Sequence, residues 1–131
     1  MKIYTSYFGN MKLLAKNNIL AIGISRYPPT YFYGQTIFEL APLYYMFNKS
    51  LTSDEFDKMY KKDVLDKQKQ SAIVEKIKAI AKGRDVALCC FEKKQIECHR
   101  YNVACWLNEA GYEVVEFGVS TPPNAFQSTM F

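Results

Sequence analysis

Histidine is nearly absent from this chain: His99 is the only one, and among the four cysteines no Cys-x-x-Cys pair occurs. The first scarcity means that any histidine acid/base chemistry must run through one residue. The second removes the commonest spacing of a structural zinc site. There is no basic tract either. The lysines and arginines leave a formal net charge of +4 and are interleaved with acids along expected helices, so a solvated surface accounts for most of them. A nucleic-acid partner is left open by this but is not indicated by charge.

Long apolar runs are missing too. The longest, Ile37 to Phe47, is broken by Glu39 and Pro42 and falls short of the roughly 20 residues that span a bilayer, so no membrane partner is expected. Thr5 and Ser6 stand where a secretory signal would stay apolar. No internal repeat or low-complexity segment is present. The cysteines at 89, 90, 98 and 105 share one short window of a chain long enough to fold without disulfides, so reduced thiols and a cytoplasmic location are expected.

What is present fits one α/β domain over residues 1–118 with a tail over 119–131. Lys2 to Tyr7 alternates as a first strand, and Asn10 stands where it would cap a short helix from Met11 to about Lys16. Ile19 to Ile24 is a second strand. Pro28-Pro29 then forbids regular structure and opens an aromatic segment, Tyr27 to Phe47, read as a long loop with one helical turn. Thr52 and Glu55 form a capping box, with Leu51 and Phe56 at the staple positions, for a helix to about Lys62.

Ile73, Val74, Ile77, Ile80 and Ala81 recur at helical spacing, and Lys82-Gly83 ends that helix. Val86 to Phe91 reads as a strand buried on both faces. A helix from about Glu97 to Ala110 follows, closed by Gly111, and Glu113 to Phe117 alternates as a last strand. This order predicts a three-layer sandwich around a small, mainly parallel, Rossmann-like sheet. Right-handed crossovers place all strand C-termini on one edge, where open α/β sheets bind ligands.

Three polar segments meet at that edge: Tyr7 to Asn10, Ser25 to Tyr27, and Glu92 to Arg100. Cys98 stands at a helix N-terminus, which lowers a thiol pKa, with His99 or Glu92 placed to move a proton. Arg26 and Arg100 form a pair of guanidinium forks suited to phosphate or carboxylate, unless an ion pair with Glu92 holds them. Ser6 and Tyr7 lie on the same edge. Tyr31 offers a ring to stack on a base and Gln35 an amide to read its edge, although a hydrophobic cover over the sheet explains most of these aromatics equally well.

Cys89 and Cys90 read as small apolar residues of the buried strand, and Cys105 as core. Cys90, Cys98, His99 and Cys105 carry zinc-binding atoms. Their spacing argues against a metal, because Cys98 and His99 are adjacent and expected to point apart.

Cys90-Phe91-Glu92-Lys93 followed by Cys98-His99-Arg100 resembles the signature of domain-of-unknown-function family 488. Ile3 to Gly9, Ser25-Arg26-Tyr27-Pro28 and Ala110 to Val115 extend the resemblance up to about Gly118. It implies an α/β fold and no established general reaction. Many members carry an acidic residue beside the arginine after the second strand, whereas Gly23-Ile24-Ser25-Arg26 stands here, leaving Glu92 as the nearest acid.

Three readings follow. The leading one is a protein that binds a phosphorylated or nucleotide-like anionic ligand at the sheet edge. The second is a cysteine-dependent enzyme of sulfur, acyl or phosphoryl transfer that uses Cys98, and the third a non-catalytic interaction or ligand-sequestering module. None of them calls for a cofactor or a metal, and neither turnover nor oligomeric state is fixed by the sequence.

Overall fold

Asp85 to Cys90 forms the central strand because every residue after Asp85 is buried, which only a strand covered on both faces satisfies. The computed structural model describes residues 1–93 and 98–119. Its elements are β1 (Ile3–Tyr7), α1 (Met11–Lys16), β2 (Ile19–Gly23), α2 (Ser53–Asp63), α3 (Gln70–Ala81), β3 (Asp85–Cys90), α4 (His99–Glu109) and β4 (Val114–Glu116). Among the described residues these strands form one all-parallel sheet in the order β2-β3-β1-β4.

The two faces of the sheet are covered differently. Val86, Leu88 and Cys90 pack against Ile73 and Ile77 of α3 and Val103 and Leu107 of α4. Ala87 and Cys89 point the other way, into a smaller cluster with Leu14 of α1 and with Phe8, which precedes that helix. The α/β three-layer arrangement expected from the alternation of elements is therefore the one adopted. Ser6 and Gly23 are both in register with Cys89, so β1, β2 and β3 end level and their C-termini form one edge.

The long connection between β2 and α2 runs first along the flank of the sheet. The Gly23 amide donates to the Gln35 carbonyl at 2.8 Å and the Ile37 amide to the Gly23 carbonyl at 2.9 Å, which covers the edge of β2. A side chain at Gly23 would meet Thr36 Oγ1 at 2.8 Å, so this close approach needs glycine. The chain then makes two 3-10 turns, Phe38–Leu40 and Tyr44–Met46, where one helical turn was expected. The buried Tyr60 of α2 anchors them by donating its hydroxyl proton to the Leu40 carbonyl at 2.5 Å.

Two local expectations met different fates. The capping box forms: Thr52 Oγ1 accepts from the Glu55 amide at 3.1 Å, and Glu55 Oε1 from the Thr52 amide at 2.9 Å. Thr52→Ala is expected to cost about 1 kcal/mol, read as a lower urea midpoint with an unchanged m-value. Asn10 does not cap α1. A 3-10 turn over Phe8–Asn10 already ties the Met11 amide to the Phe8 carbonyl, and the Asn10 amide group donates instead to Ser6 Oγ at 3.1 Å. The tail expected over 119–131 lies, apart from Val119, outside the described residues.

Candidate functional site: a cavity at the carboxyl edge of the sheet

A cavity of about 420 Å³ opens at the C-terminal edge of the sheet. Ser25, Arg26 and Tyr27 reach it from the end of β2, Phe91 and Glu92 from the end of β3, and Cys98 and His99 from the start of α4. The far wall comes from the Met46 to Asn48 turn and the first turns of α2, including Thr52, Phe56 and Asp57. The N-termini of α2 and α4 thus open on one space, and each carries the partial positive charge of its helix.

Arg26 is held in place by backbone. Its Nε donates to the Pro42 carbonyl at 3.0 Å and Nη2 to the Ala41 carbonyl at 3.4 Å, while the Phe38 ring lies 5.8 Å from the guanidinium carbon. No carboxylate forms an ion pair with it among the described residues, although Asp57 and Glu92 line the same cavity.

Arg100 has a different role from the one its sequence position suggests. It is fully buried, and all five of its N–H groups are committed. Nε donates to Glu116 Oε1 at 3.0 Å and Nη2 to Glu116 Oε2 at 2.9 Å and the Lys93 carbonyl at 2.8 Å. Nη1 donates to the Glu92 carbonyl and, at 3.2 Å, to Cys90 Sγ. Arg100 therefore has no donor left for a ligand, and the expected Arg26 and Arg100 fork does not exist.

It is instead a clamp that holds β4, the end of β3 and the following loop together. Glu116, absent from the sequence-derived site, is its partner, and Thr5 adds a hydroxyl donor to the same carboxylate at 2.7 Å. Glu92 contributes its carbonyl to the clamp while the residue stays exposed.

His99, the first residue of α4, is turned inward with Nε2 2.6 Å from the Ile24 carbonyl, so Nε2 carries the proton that is donated there. Nδ1 is then a lone pair, 3.8 Å from Cys98 Sγ. Burial pushes the imidazole pKa down to about 4, against the raising effect of the Ile24 hydrogen bond, and the Arg100 charge lowers it further. His99 is neutral at neutral pH.

Cys98 and His99 converge rather than point apart. The sulfur atoms of Cys90 and Cys98 are in bonding contact, so these two are not the independent reduced thiols expected. Cys89 and Cys105 are free, and burial pushes the Cys89 thiol up to about 12, which makes it inert.

The remaining sequence-derived residues lie off the cavity wall. Ser6 is buried and accepts from Asn10, and the Tyr7 ring sits 6.0 Å from the Arg100 guanidinium carbon. Tyr31 is exposed, and Gln35 spends its carbonyl on β2. Aromatic surface reaches the cavity from Tyr27, Phe47, Phe56 and Phe91, of which Tyr27 and Phe47 are in contact at 5.7 Å. No helix among the described residues is long and apolar enough to cross a membrane.

The model of the active DUF488-N3 subclade matches residues 5–111. That span contains the strand ends, Arg26, Glu92, Cys98, His99 and Arg100 and stops short of Glu116. Neither the curated proteins nor the solved structures give a match to the chain.

Proposed function

We propose that this chain, which belongs to the DUF488 family, binds a nucleotide-like anionic small molecule in the cavity at its sheet edge. The observation that carries the reading is Arg26, fixed by two carbonyls and unpaired by any described carboxylate, in one cavity with two helix N-termini. Anions gather at such helix ends, and a backbone-anchored guanidinium adds a full charge with little loss of side-chain freedom.

The other walls narrow the ligand. Tyr27, Phe47, Phe56 and Phe91 offer flat apolar surface for a ring. Asp57 and Glu92 add hydrogen-bond acceptors at the same cavity, which a bare phosphate cannot satisfy and the N–H and O–H groups of a nucleoside can.

In a thermal-shift panel a nucleoside monophosphate is therefore expected to raise Tm where inorganic phosphate at equal concentration does not. Arg26→Ala is expected to weaken that binding about 10- to 100-fold, the worth of a charged hydrogen bond. A panel in which no nucleotide stabilises the protein, or an Arg26→Ala variant that binds as well as the parent, overturns the reading.

One contact favours a second reading, cysteine-dependent transfer chemistry. The lone pair of His99 Nδ1 faces Cys98 Sγ, and the Ile24 carbonyl orients the ring, which is the layout of an activated thiol. Cys98 of reduced protein should then alkylate faster than a free thiol near neutral pH, and a rate no greater than that removes the reading.

A further inference from the structure

Beside the cavity, which Cys98 and His99 line and the buried Cys90 does not, three donor atoms meet. Sγ of Cys90, Sγ of Cys98 and one ring nitrogen of His99 all lie within 4.8 Å of one another. We propose that in the reduced protein these three residues bind one zinc-class divalent ion, with the fourth coordination position turned to the cavity. This goes beyond the nucleotide reading and stands without it.

The donor set and the sulfur-to-nitrogen separation support the assignment; the two sulfurs, bonded to each other here, have to move apart on reduction to admit the ion. Two thiolates and an imidazole with one open position form a known type of catalytic zinc site. Tetrahedral bonds of about 2.3 Å to sulfur and about 2.0 Å to nitrogen place those two ligand atoms about 3.6 Å apart. The separation of Cys98 Sγ and His99 Nδ1 is 3.8 Å. The Cα atoms of Cys90 and Cys98 stand 7.0 Å apart. That lies just beyond the span of roughly 4.4–6.8 Å that disulfides usually bridge, and an ion between the two sulfurs accommodates it.

The surroundings fit a bound ion as well. His99 donates Nε2–H to the Ile24 carbonyl, the outer hydrogen bond that fixes the tautomer of a metal-ligating histidine and leaves Nδ1 to the metal. Arg100 Nη1 donates to Cys90 Sγ at 3.2 Å, which stabilises a thiolate there. Charge balances: two thiolates cancel a divalent ion, and Glu116 cancels Arg100, so no net charge is buried.

The test uses the full chain, reduced with a phosphine and handled without added thiol. Titration with Co²⁺ is expected to give, at one equivalent, a sulfur-to-cobalt charge-transfer band and the intense visible bands of a tetrahedral ion, and Zn²⁺ to displace both. Cys98→Ser should lose these bands and Cys105→Ser keep them.

Should Cys98→Ser fail to fold, the parent protein still decides. Zn²⁺ is expected to slow iodoacetamide labelling of Cys98 by more than about tenfold, because a metal-held thiolate is not free to attack, and to leave Cys105 unchanged. Absence of the cobalt bands, protection that falls on Cys105 instead, or a Cys90 to Cys98 disulfide that persists under reduction and excludes cobalt would each overturn the proposal.

Discussion

Glu116→Ala is expected to destabilise the fold by about 3–5 kcal/mol, the cost of leaving one partner of a buried ion pair without the other. Arg100 has no solvent exposure, and Glu116 is the one carboxylate that meets its guanidinium among the described residues. Truncation would strand a cation between β3, β4 and α4, and would orphan the Thr5 hydroxyl as well. Unfolding in urea followed by circular dichroism should show the loss as a lower midpoint with m unchanged.

The paired change Arg100→Met with Glu116→Leu should cost much less than the sum of the two single changes, since apolar residues of similar volume remove the stranded charge. A loss below about 1 kcal/mol for Glu116→Ala would place the pair with surface ion pairs and dissolve the argument for a clamp.

That clamp also marks where sequence reading stopped. The features it caught are local: the apolar run at Val86 to Cys90, the Thr52 and Glu55 box, and the spacing from Ile73 to Ala81 each carry their own physical signal within a few residues. Glu116 carries none. Alternation along β4 assigns faces, but only the placement of β4 beside β1 brings its carboxylate to Thr5 and Arg100. The carbonyls of Glu92 and Lys93 take further donors of Arg100, and backbone acceptors leave no trace in side-chain identity.

The cavity wall was half legible for a related reason. Pro28-Pro29 and the pairing of Gln35 and Ile37 with Gly23 carry the aromatic loop along the flank of β2, away from the strand ends. Tyr27, placed before the prolines, stays on the cavity, while Tyr31 and Gln35 do not. Phe47, Phe56 and Asp57 come from a segment whose helix was readable but whose direction of approach was not.

The expectation that adjacent residues diverge holds within a strand or a helix. It fails at Cys98 because that residue is extended, with φ −129° and ψ 148°, and His99 begins the helix, so the two side chains turn toward each other across the boundary.

The same inward turn of His99 makes the metal-free protein, with Cys90 and Cys98 joined as in this structure, sensitive to acid. To become charged the imidazole must take its second proton at Nδ1, because Nε2–H is already donated to Ile24, and burial together with the nearby Arg100 charge opposes this. The folded-state pKa of about 4 lies below the ordinary value of 6.5, so the unfolded chain binds the proton more readily.

Stability from this group is therefore fully present above about pH 6.5 and is lost progressively as pH falls toward 4. Each pKa unit between the two states is worth about 1.4 kcal/mol, which puts the loss at roughly 2–3 kcal/mol once the residue's partial exposure is allowed for.

His99→Gln, which keeps an N–H donor for the Ile24 carbonyl and cannot ionise, should lose this part of the pH dependence, so that the parent's stability falls more steeply than the variant's across that window. Glu39 and Glu55, whose pKa values are lowered by hydrogen bonds from Lys76 and from the Thr52 amide respectively, lose their contributions in both proteins and cancel in the comparison. Parallel curves for parent and variant between pH 6.5 and pH 4 would show that the imidazole is not held neutral, and with that its assignment as a lone-pair donor facing Cys98 would fall.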